Sequence, residues 1–379
     1  MRIAYLLKAN LIKQHHLIEK VFNQVHYWTN SNMYSTEVKI FCLSETDSSS
    51  SKLDAFDINY YKVGKGGALE LLVLTSLLKD VLLDLKAFNP DLVYTRTWTP
   101  RIFTMKFVRN FKVISEVNTK ELDEYRLLAK NSLKLKLKFI YYRYTRHLFY
   151  NHLSSIFCVT NEIAKGLRQY KLPTFVTPNS IPLKNYKIEI PEENKIPKIF
   201  FIGTTGMPWQ GFDIIIKLAI LTLGKLEFHL VGNNELDDGT LPQNVVSYGF
   251  LDKKDYVAIL NKCDVGLGTM ALHRKGLKEA CPLKIREYLA YGLPIILPYD
   301  DTAFLEDNPI WALKLPSEEG ASLEPDQIER IVTFSNKMLG YRVAHEESSK
   351  YVDSTYWEKK RIDFFRSVME NQASHSPDN

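Results

Sequence analysis

Twice along this chain, short apolar runs alternate with longer helical stretches, a rhythm that few folds accommodate. The first series passes through residues 2–7, 37–43, 92–95, 112–115 and 155–159, and the second through 198–203, 226–232, 265–268 and 293–298. Each series predicts a parallel sheet with helical crossovers, an α/β unit. Between them the polar stretch 185–197 carries Pro191 and Pro197, which places a boundary there. At 379 residues the chain is long for one core and natural for two. The expected domains are 1–187 and 188–354. The serine run 48–51 reads as a surface loop and 371–379 as a disordered tail.

Composition removes several classes. The apolar run at the amino terminus is too short for a signal peptide, and no stretch approaches the roughly 18 apolar residues needed to span a bilayer. Cys42, Cys158, Cys263 and Cys281 lie far apart without paired spacing, so neither a disulfide framework nor a zinc site is expected, and a reducing cytoplasm is.

Charge is unevenly divided. Residues 1–190 hold 28 lysines and arginines against 16 acids, a balance of +12 in a chain whose total is +5. The densest part, 126–146, contains Arg126, Lys130, Lys134, Lys136, Lys138, Arg143 and Arg146 among tyrosines and phenylalanines, with no acid. Contact with an anionic membrane surface is one reading and a solvated basic face the other. On a single helical wheel Lys130, Lys134 and Lys138 share one face, whereas Lys136, Arg143 and Arg146 lie roughly opposite, which spoils a clean in-plane amphipathic helix. No recognition motif accompanies the charge, so nucleic acid is not an expected partner.

The segment richest in chemistry is Glu279-Ala280-Cys281-Pro282-Leu283-Lys284-Ile285-Arg286-Glu287. Pro282 suits a first helical position and Gly292 with Pro294 a helix stop, so a helix is expected over about 282–291, with Glu279 in the loop before it. The helix start, with Lys284 beside it, forms an anion site bracketed by two carboxylates. A nucleotide sugar has a matching layout: a diphosphate between two hydroxyl-rich groups, each able to donate to a carboxylate. Two incidental glutamates on a solvated helix remain the plain alternative.

These residues resemble the signature of the retaining family-4 glycosyltransferases, whose GT-B architecture sets two Rossmann-like domains facing a cleft. Gly203-Thr204-Thr205-Gly206 with Gln210-Gly211 resembles that family's glycine-rich turn. Leu230-Val231-Gly232-Asn233, Val246 to Phe250, and Cys263 to Gly268 follow in the family's order, and Pro178-Asn179-Ser180-Ile181 precedes them. By position the resemblance gives Glu279 the donor sugar and Glu287 the ribose. It places Gly203, Thr204, Thr205, Gln210, Pro282, Leu283 and Phe250 on the donor. It also implies that an amphipathic helix at about 355–370 crosses back onto the first domain.

Two departures matter. The turn lacks the family's arginine and lysine, so the diphosphate charge is expected to fall to Arg274 and Lys284, with His273 as a sugar or phosphate contact. The first domain lacks the family's Gly-Gly turn and active-site histidine. Asn118 stands at the end of its fourth strand, where it either hydrogen-bonds the donor sugar or merely caps the strand, and His15 and His16 read as surface residues.

The expected activity is hexosyl or related transfer from a nucleotide-diphosphate sugar to a glycan hydroxyl, the acceptor being carried on lipid at the cytoplasmic membrane face. The setting would be synthesis of a bacterial-type O-antigen, capsule or exopolysaccharide. No cofactor and no metal are expected, since there is no Asp-x-Asp cluster. A two-domain nucleotide-sugar epimerase and a catalytically silent sugar-binding partner are the alternatives. A nicotinamide dehydrogenase is not, because no G-x-G-x-x-G follows the first strand.

Overall fold

The computed structural model describes the chain except for residues 12–13, 31–34, 45–51, 64–67, 205, 233–240, 317–321 and 374–379, and except for the side chains of 15–16, 68–77, 131 and 371–373. The serine run, Thr205, Asn233, the end of the tail and the side chains of His15 and His16 therefore lie outside the described residues.

Two compact units emerge, Met1–Thr177 with Ser354–Asn379, and Pro178–Asp353. The break precedes the expected residue 187 because residues from 179 onward already bond within the second unit. The Asn179 amide donates to Cys281 Sγ at 2.9 Å, and the Ile181 amide to the Val352 carbonyl at 2.9 Å.

In chain order the first unit runs β1 (Arg2–Ala9), α1 (His15–Asn30), β2 (Glu37–Ser44), β3 (Ile58–Lys62), α2 (Ala68–Phe88), β4 (Leu92–Arg96), α3 (Ile102–Asn110) and β5 (Val113–Val117). It continues with α4 (Glu121–Leu128), α5 (Leu133–Tyr150), β6 (Ser155–Cys158), α6 (Asn161–Leu167) and β7 (Thr174–Val176). Its seven strands are parallel in the order β3-β2-β1-β4-β5-β6-β7. The central strands are buried along nearly their whole length, as the inner strands of a parallel sheet are.

The second unit runs β8 (Lys198–Ile202), α7 (Phe212–Leu221), β9 (Glu227–Val231), β10 (Val245–Ser247), α8 (Lys253–Leu260), β11 (Val265–Leu267), β12 (Glu279–Ala280) and α9 (Leu283–Ala290). It ends with β13 (Ile295–Leu297), β14 (Asp300–Asp301), β15 (Ala312–Lys314), α10 (Pro325–Lys337) and α11 (His345–Val352). Six strands form a parallel sheet, β10-β9-β8-β11-β13-β15, while β12 and β14 make a separate two-stranded ladder.

The last helix, α12 (Ser354–Ala373), packs in the first unit. Phe365 lies edge-on to Trp28, with centroids 5.4 Å apart, and against Tyr94 at 5.3 Å. Beside these rings Arg361 bonds Glu358 at 2.9 Å, the Tyr94 hydroxyl at 2.6 Å and Glu116 at 3.3 Å. Lys20 and the Tyr94 hydroxyl also bond Glu116. Burial alone would raise the Glu116 pKa, but Lys20 and Arg361 outweigh it and hold the carboxyl well below the ordinary range.

Candidate functional site

In the second unit strand order reverses between β8 and β11. Ligands of open parallel sheets bind in the crevice beyond the carboxyl ends of the strands at such a reversal. The chain leaving β8 here is Gly203-Thr204, and two glycines let it pass closely. A Cβ at Gly232, which has φ +91°, would lie 2.0 Å from the Gly203 carbonyl oxygen. At Gly211, with φ +76°, a Cβ would lie 2.8 Å from that of Met270. Gly211 thereby lets the 208–210 turn close onto the loop after β11, where the Met270 amide donates to the Gln210 carbonyl at 3.2 Å.

Lys284 reaches into this crevice. It is the second residue of α9, and its Nζ donates to the Ile202 carbonyl and to Gln210 Oε1, each at 3.0 Å, over the Phe201 ring at 3.9 Å. No carboxylate is among these contacts. Burial therefore acts unopposed and brings the Lys284 pKa down to about 7. Pro282 is the cap residue with extended backbone (φ −75°, ψ 143°), so the helix begins at Leu283 and not at the proline. A ring that carries no N–H fits either position. Gly292, with φ +80°, ends the helix as the sequence implied.

The two glutamates are both buried and both held. Glu279 lies on β12, paired with Asp300, rather than in a loop, and its Oε1 accepts from Thr302 Oγ1 at 2.9 Å. Glu287 accepts from the Tyr256 hydroxyl at 3.0 Å and sits 3.3 Å from Lys253 Nζ. Between them Arg286, fully buried, donates to Asp301 Oδ1 at 2.6 Å and to the Asn179 carbonyl at 3.0 Å. Burial would lower the Arg286 pKa, but Asp301 overrides it and keeps the group charged. This brace ties α9 to β14, and β14 to the strand that bears Glu279. Sequence reading missed Arg286, Asp301, Thr302, Tyr256 and Lys253. Only Asn179 carried a signal, in the Pro-Asn pair before the boundary.

The other expected donor residues take varied places. Arg274 forms a two-pronged pair with Asp213, at 2.9 and 2.6 Å, and donates to the Pro208 carbonyl at 2.9 Å. Its charge braces the 208–210 turn and is already matched; hydrogen bonding to Arg274 lowers the Asp213 pKa. His273 is half-buried, and burial lowers its pKa. Thr204 is exposed after β8, and Phe250, in the loop that follows β10, is 74% exposed. Asn118 stands in the first unit, with its Oδ1 3.4 Å from Lys20 Nζ.

Asn118 lines a cavity of about 1230 Å³ formed by first-unit residues at the carboxyl ends of β1, β4 and β5. One wall is α5, which departs from the single-helix expectation. Ser132 breaks the basic segment, so Lys130 sits on a separate turn, 129–131, while Arg126 pairs with Asp123 at 3.0 Å on α4. On α5 Tyr142, Phe149 and Tyr150 are buried, while Leu133, Leu137, Ile140, Tyr141, Tyr144 and Leu148 are 39–74% exposed. At the helical repeat those six fall within a sector of about 100° opposite the buried face. Lys134 and Lys138 flank the stripe on one side and Lys136 and Arg143 on the other, an amphipathic arrangement that the cation pattern alone had obscured. Among the described residues no helix is long and apolar enough to cross a membrane.

No protein-family model and no curated protein matches the chain. Solved structures do. The lipopolysaccharide outer core galactosyltransferase WaaB, in apo form, has a TM-score of 0.68 at 13% identity, covering 97% of this chain and 100% of its own. Sucrose-phosphate synthase from Thermosynechococcus elongatus has 0.68 at 11%, covering 98% and 100%. Anabaena HepE in complex with UDP-glucose has 0.65 at 13%, covering 97% and 100%. At these identities the likeness shows the fold, which is GT-B with its two Rossmann-like domains.

Proposed function

We propose that this chain is a retaining glycosyltransferase of the family-4 type. On this reading the second unit holds a nucleotide-diphosphate sugar, and the first unit supplies the hydroxyl of a glycan acceptor. One observation carries the reading: a buried lysine at the start of α9, in the β8/β11 crevice, flanked in sequence by two buried and anchored glutamates. Lys284 and the α9 amides would meet the diphosphate, Glu279 the sugar hydroxyls and Glu287 the ribose, with the exposed Phe250 ring beside the base. The similar structures include one that holds UDP-glucose, and this supports a nucleotide sugar as donor.

In the reaction the bond from the anomeric carbon to the diphosphate oxygen breaks, and the electron pair stays on that oxygen. The acceptor oxygen bonds the carbon on the face that the diphosphate leaves, and its proton passes to the diphosphate. Charge on the leaving oxygen grows in the transition state, and a fixed cation at that point stabilises it more than the ground state. Lys284 fills the role of the missing turn cations, and transfer is expected to survive EDTA.

The setting is synthesis of a cell-surface polysaccharide, with α5 resting on the anionic inner face of the cell membrane. A thermal-shift panel of nucleotide sugars tests the donor assignment, because a true ligand at 100 times its Kd stabilises the fold by about 2.7 kcal/mol. Stabilisation by one nucleotide family is expected. A flat response to every nucleotide sugar and nucleoside diphosphate would overturn the assignment.

A further inference from the structure

We infer that the cavity of the first unit is an anion site, and that it receives the phosphate or diphosphate head of a lipid-borne acceptor. The inference rests on the glycosyltransferase reading for the word acceptor; the site itself rests on charge and shape. The cavity opens beyond the carboxyl ends of β1 and β4, where the strand order of the first sheet reverses. Cations reach its wall from five elements: Lys8 on β1, Arg96 at the end of β4, Lys79 and Lys86 on α2, Arg101 with Lys106 at α3, and Lys138 on α5.

Among the described residues two carboxylates line the same wall, and neither offsets those cations. Glu116 is consumed by Lys20 and Arg361. Burial pushes the Glu121 carboxyl up, and it accepts the Tyr142 hydroxyl at 2.6 Å. A concave wall of one sign focuses its field and concentrates counter-ions. Several cations along one wall suit a multiply charged anion better than a single carboxylate.

The wall is also apolar, which separates a lipid head from a free phosphate. On α2 Lys79, Leu82, Leu83 and Lys86 recur at helical spacing, so leucines and lysines share one face, and Ile102, one turn before Lys106 on α3, is 74% exposed. Lys138 and Tyr141 of α5 belong to the cavity, and Tyr141 belongs also to the exposed apolar stripe. The cavity is therefore continuous with a surface suited to an anionic bilayer, and a ligand with an apolar chain and a phosphate head matches both.

Trp98 lines the cavity and gives a local reporter, its Nε1 donating to Thr95 Oγ1 at 2.7 Å. The full chain, labelled with 5-fluorotryptophan, is followed by fluorine NMR, with Trp98→Phe assigning the resonance. Geranyl diphosphate, below its micelle concentration, is expected to shift that signal saturably. Its Kd should be at least tenfold lower than that of geraniol or inorganic pyrophosphate, and Lys79→Gln with Lys86→Gln and Lys106→Gln should raise it at least tenfold. Equal affinity for geraniol would overturn the anion site, equal affinity for pyrophosphate would overturn the lipid source, and silence at Trp98 would overturn both. In the triple variant nucleotide sugars should still stabilise the fold. If the anion site fails while that stabilisation persists, the donor reading stands alone. A Trp98 response without nucleotide-sugar stabilisation would keep the site and remove its role as an acceptor site.

Discussion

The two units share a sheet plan and use it in opposite ways. Each places its first strand centrally and reverses order beside it, yet the crevice of the second unit is pre-paired while the cavity of the first leaves a wall of cations. Lys284 is fixed by a carbonyl and an amide, Glu279 by a threonine and Glu287 by a tyrosine. Such groups cannot reorient cheaply, which suits stabilisation of charge that appears only in the transition state. Exposed lysines on helix faces suit capture of an anion instead, a matter of affinity and encounter rate. On the proposed reading, rigidity belongs to the donor unit and electrostatic reach to the acceptor unit.

The contrast breaks first if the brace under the donor site proves dispensable. Arg286→Met leaves Asp301 buried without its partner, and losing one member of such a pair costs about 3–5 kcal/mol. Denaturant unfolding should show that loss, and adding Asp301→Leu should recover most of it. An unchanged midpoint for the single variant would mean that the donor site is not pre-built.

Lys284→Met should cost about 2.7–4 kcal/mol in turnover, the scale for one preorganised electrostatic contact. Its proton gives a separate check. With its pKa lowered from 10.5 to about 7, the folded protein holds fewer protons than the unfolded chain between those values. The penalty of a buried charge is thus complete below pH 7 and disappears as pH rises to 10.5. A bound diphosphate favours the charged form, so donor binding at about pH 8 should take up protons, and donor affinity should fall as pH rises above 7. Calorimetry in buffers of different ionisation enthalpy reads this uptake, and Lys284→Met should abolish it.

Glu287→Gln addresses affinity rather than chemistry. Loss of a charged acceptor for the ribose hydroxyls should weaken nucleotide binding by about 1.5–3 kcal/mol, while Glu279→Gln chiefly slows turnover. Equal nucleotide affinity in wild type and the Glu287 variant would remove the ribose assignment.

How legible these features were follows from burial. Interior strands such as β4, β11 and β13 are buried along nearly their whole length and announce themselves through apolar residues. The edge strands β3, β7, β10 and β15 are half-exposed, so no run marks them. At the donor site Lys284 and the glutamates were visible because three residues fall within one short segment. Arg286 looked like a solvated cation, since its partner Asp301 comes fifteen positions later on a two-residue strand. The cavity was hidden for a related reason: its cations run from Lys8 to Lys138, and only the fold gathers them.

The proposed membrane contact of α5 sharpens the comparison on the side of the first unit. Each lysine near an anionic surface contributes about 1 kcal/mol, so Lys134→Gln with Lys138→Gln should reduce flotation with phosphatidylglycerol vesicles, most visibly at low salt. Leu137→Ser with Tyr144→Ser should reduce flotation at every salt, because burial of apolar area is not screened. Wild-type protein that stays with the soluble fraction at low salt would remove the membrane from the proposal.

The smallest effect is expected at Arg274, where the sequence alone argued for a large one. Its guanidinium is two-pronged on Asp213 and capped by the Pro208 carbonyl, so its charge is matched within the protein before any donor arrives. The pair is partly exposed, with Asp213 63% accessible, and such surface pairs contribute about 0.2–1 kcal/mol. Arg274→Ala should therefore lower stability within that range and slow turnover only modestly, through a looser 208–210 turn beneath Gln210. Arg274→Lys, which keeps the charge but not the two-pronged geometry, should behave like alanine if the role is bracing. Were alanine to cost a hundredfold in turnover while lysine restored it, the positive charge itself would be acting on the diphosphate. Arg274 would then join Lys284, and the donor crevice would be less self-contained than its pairings imply.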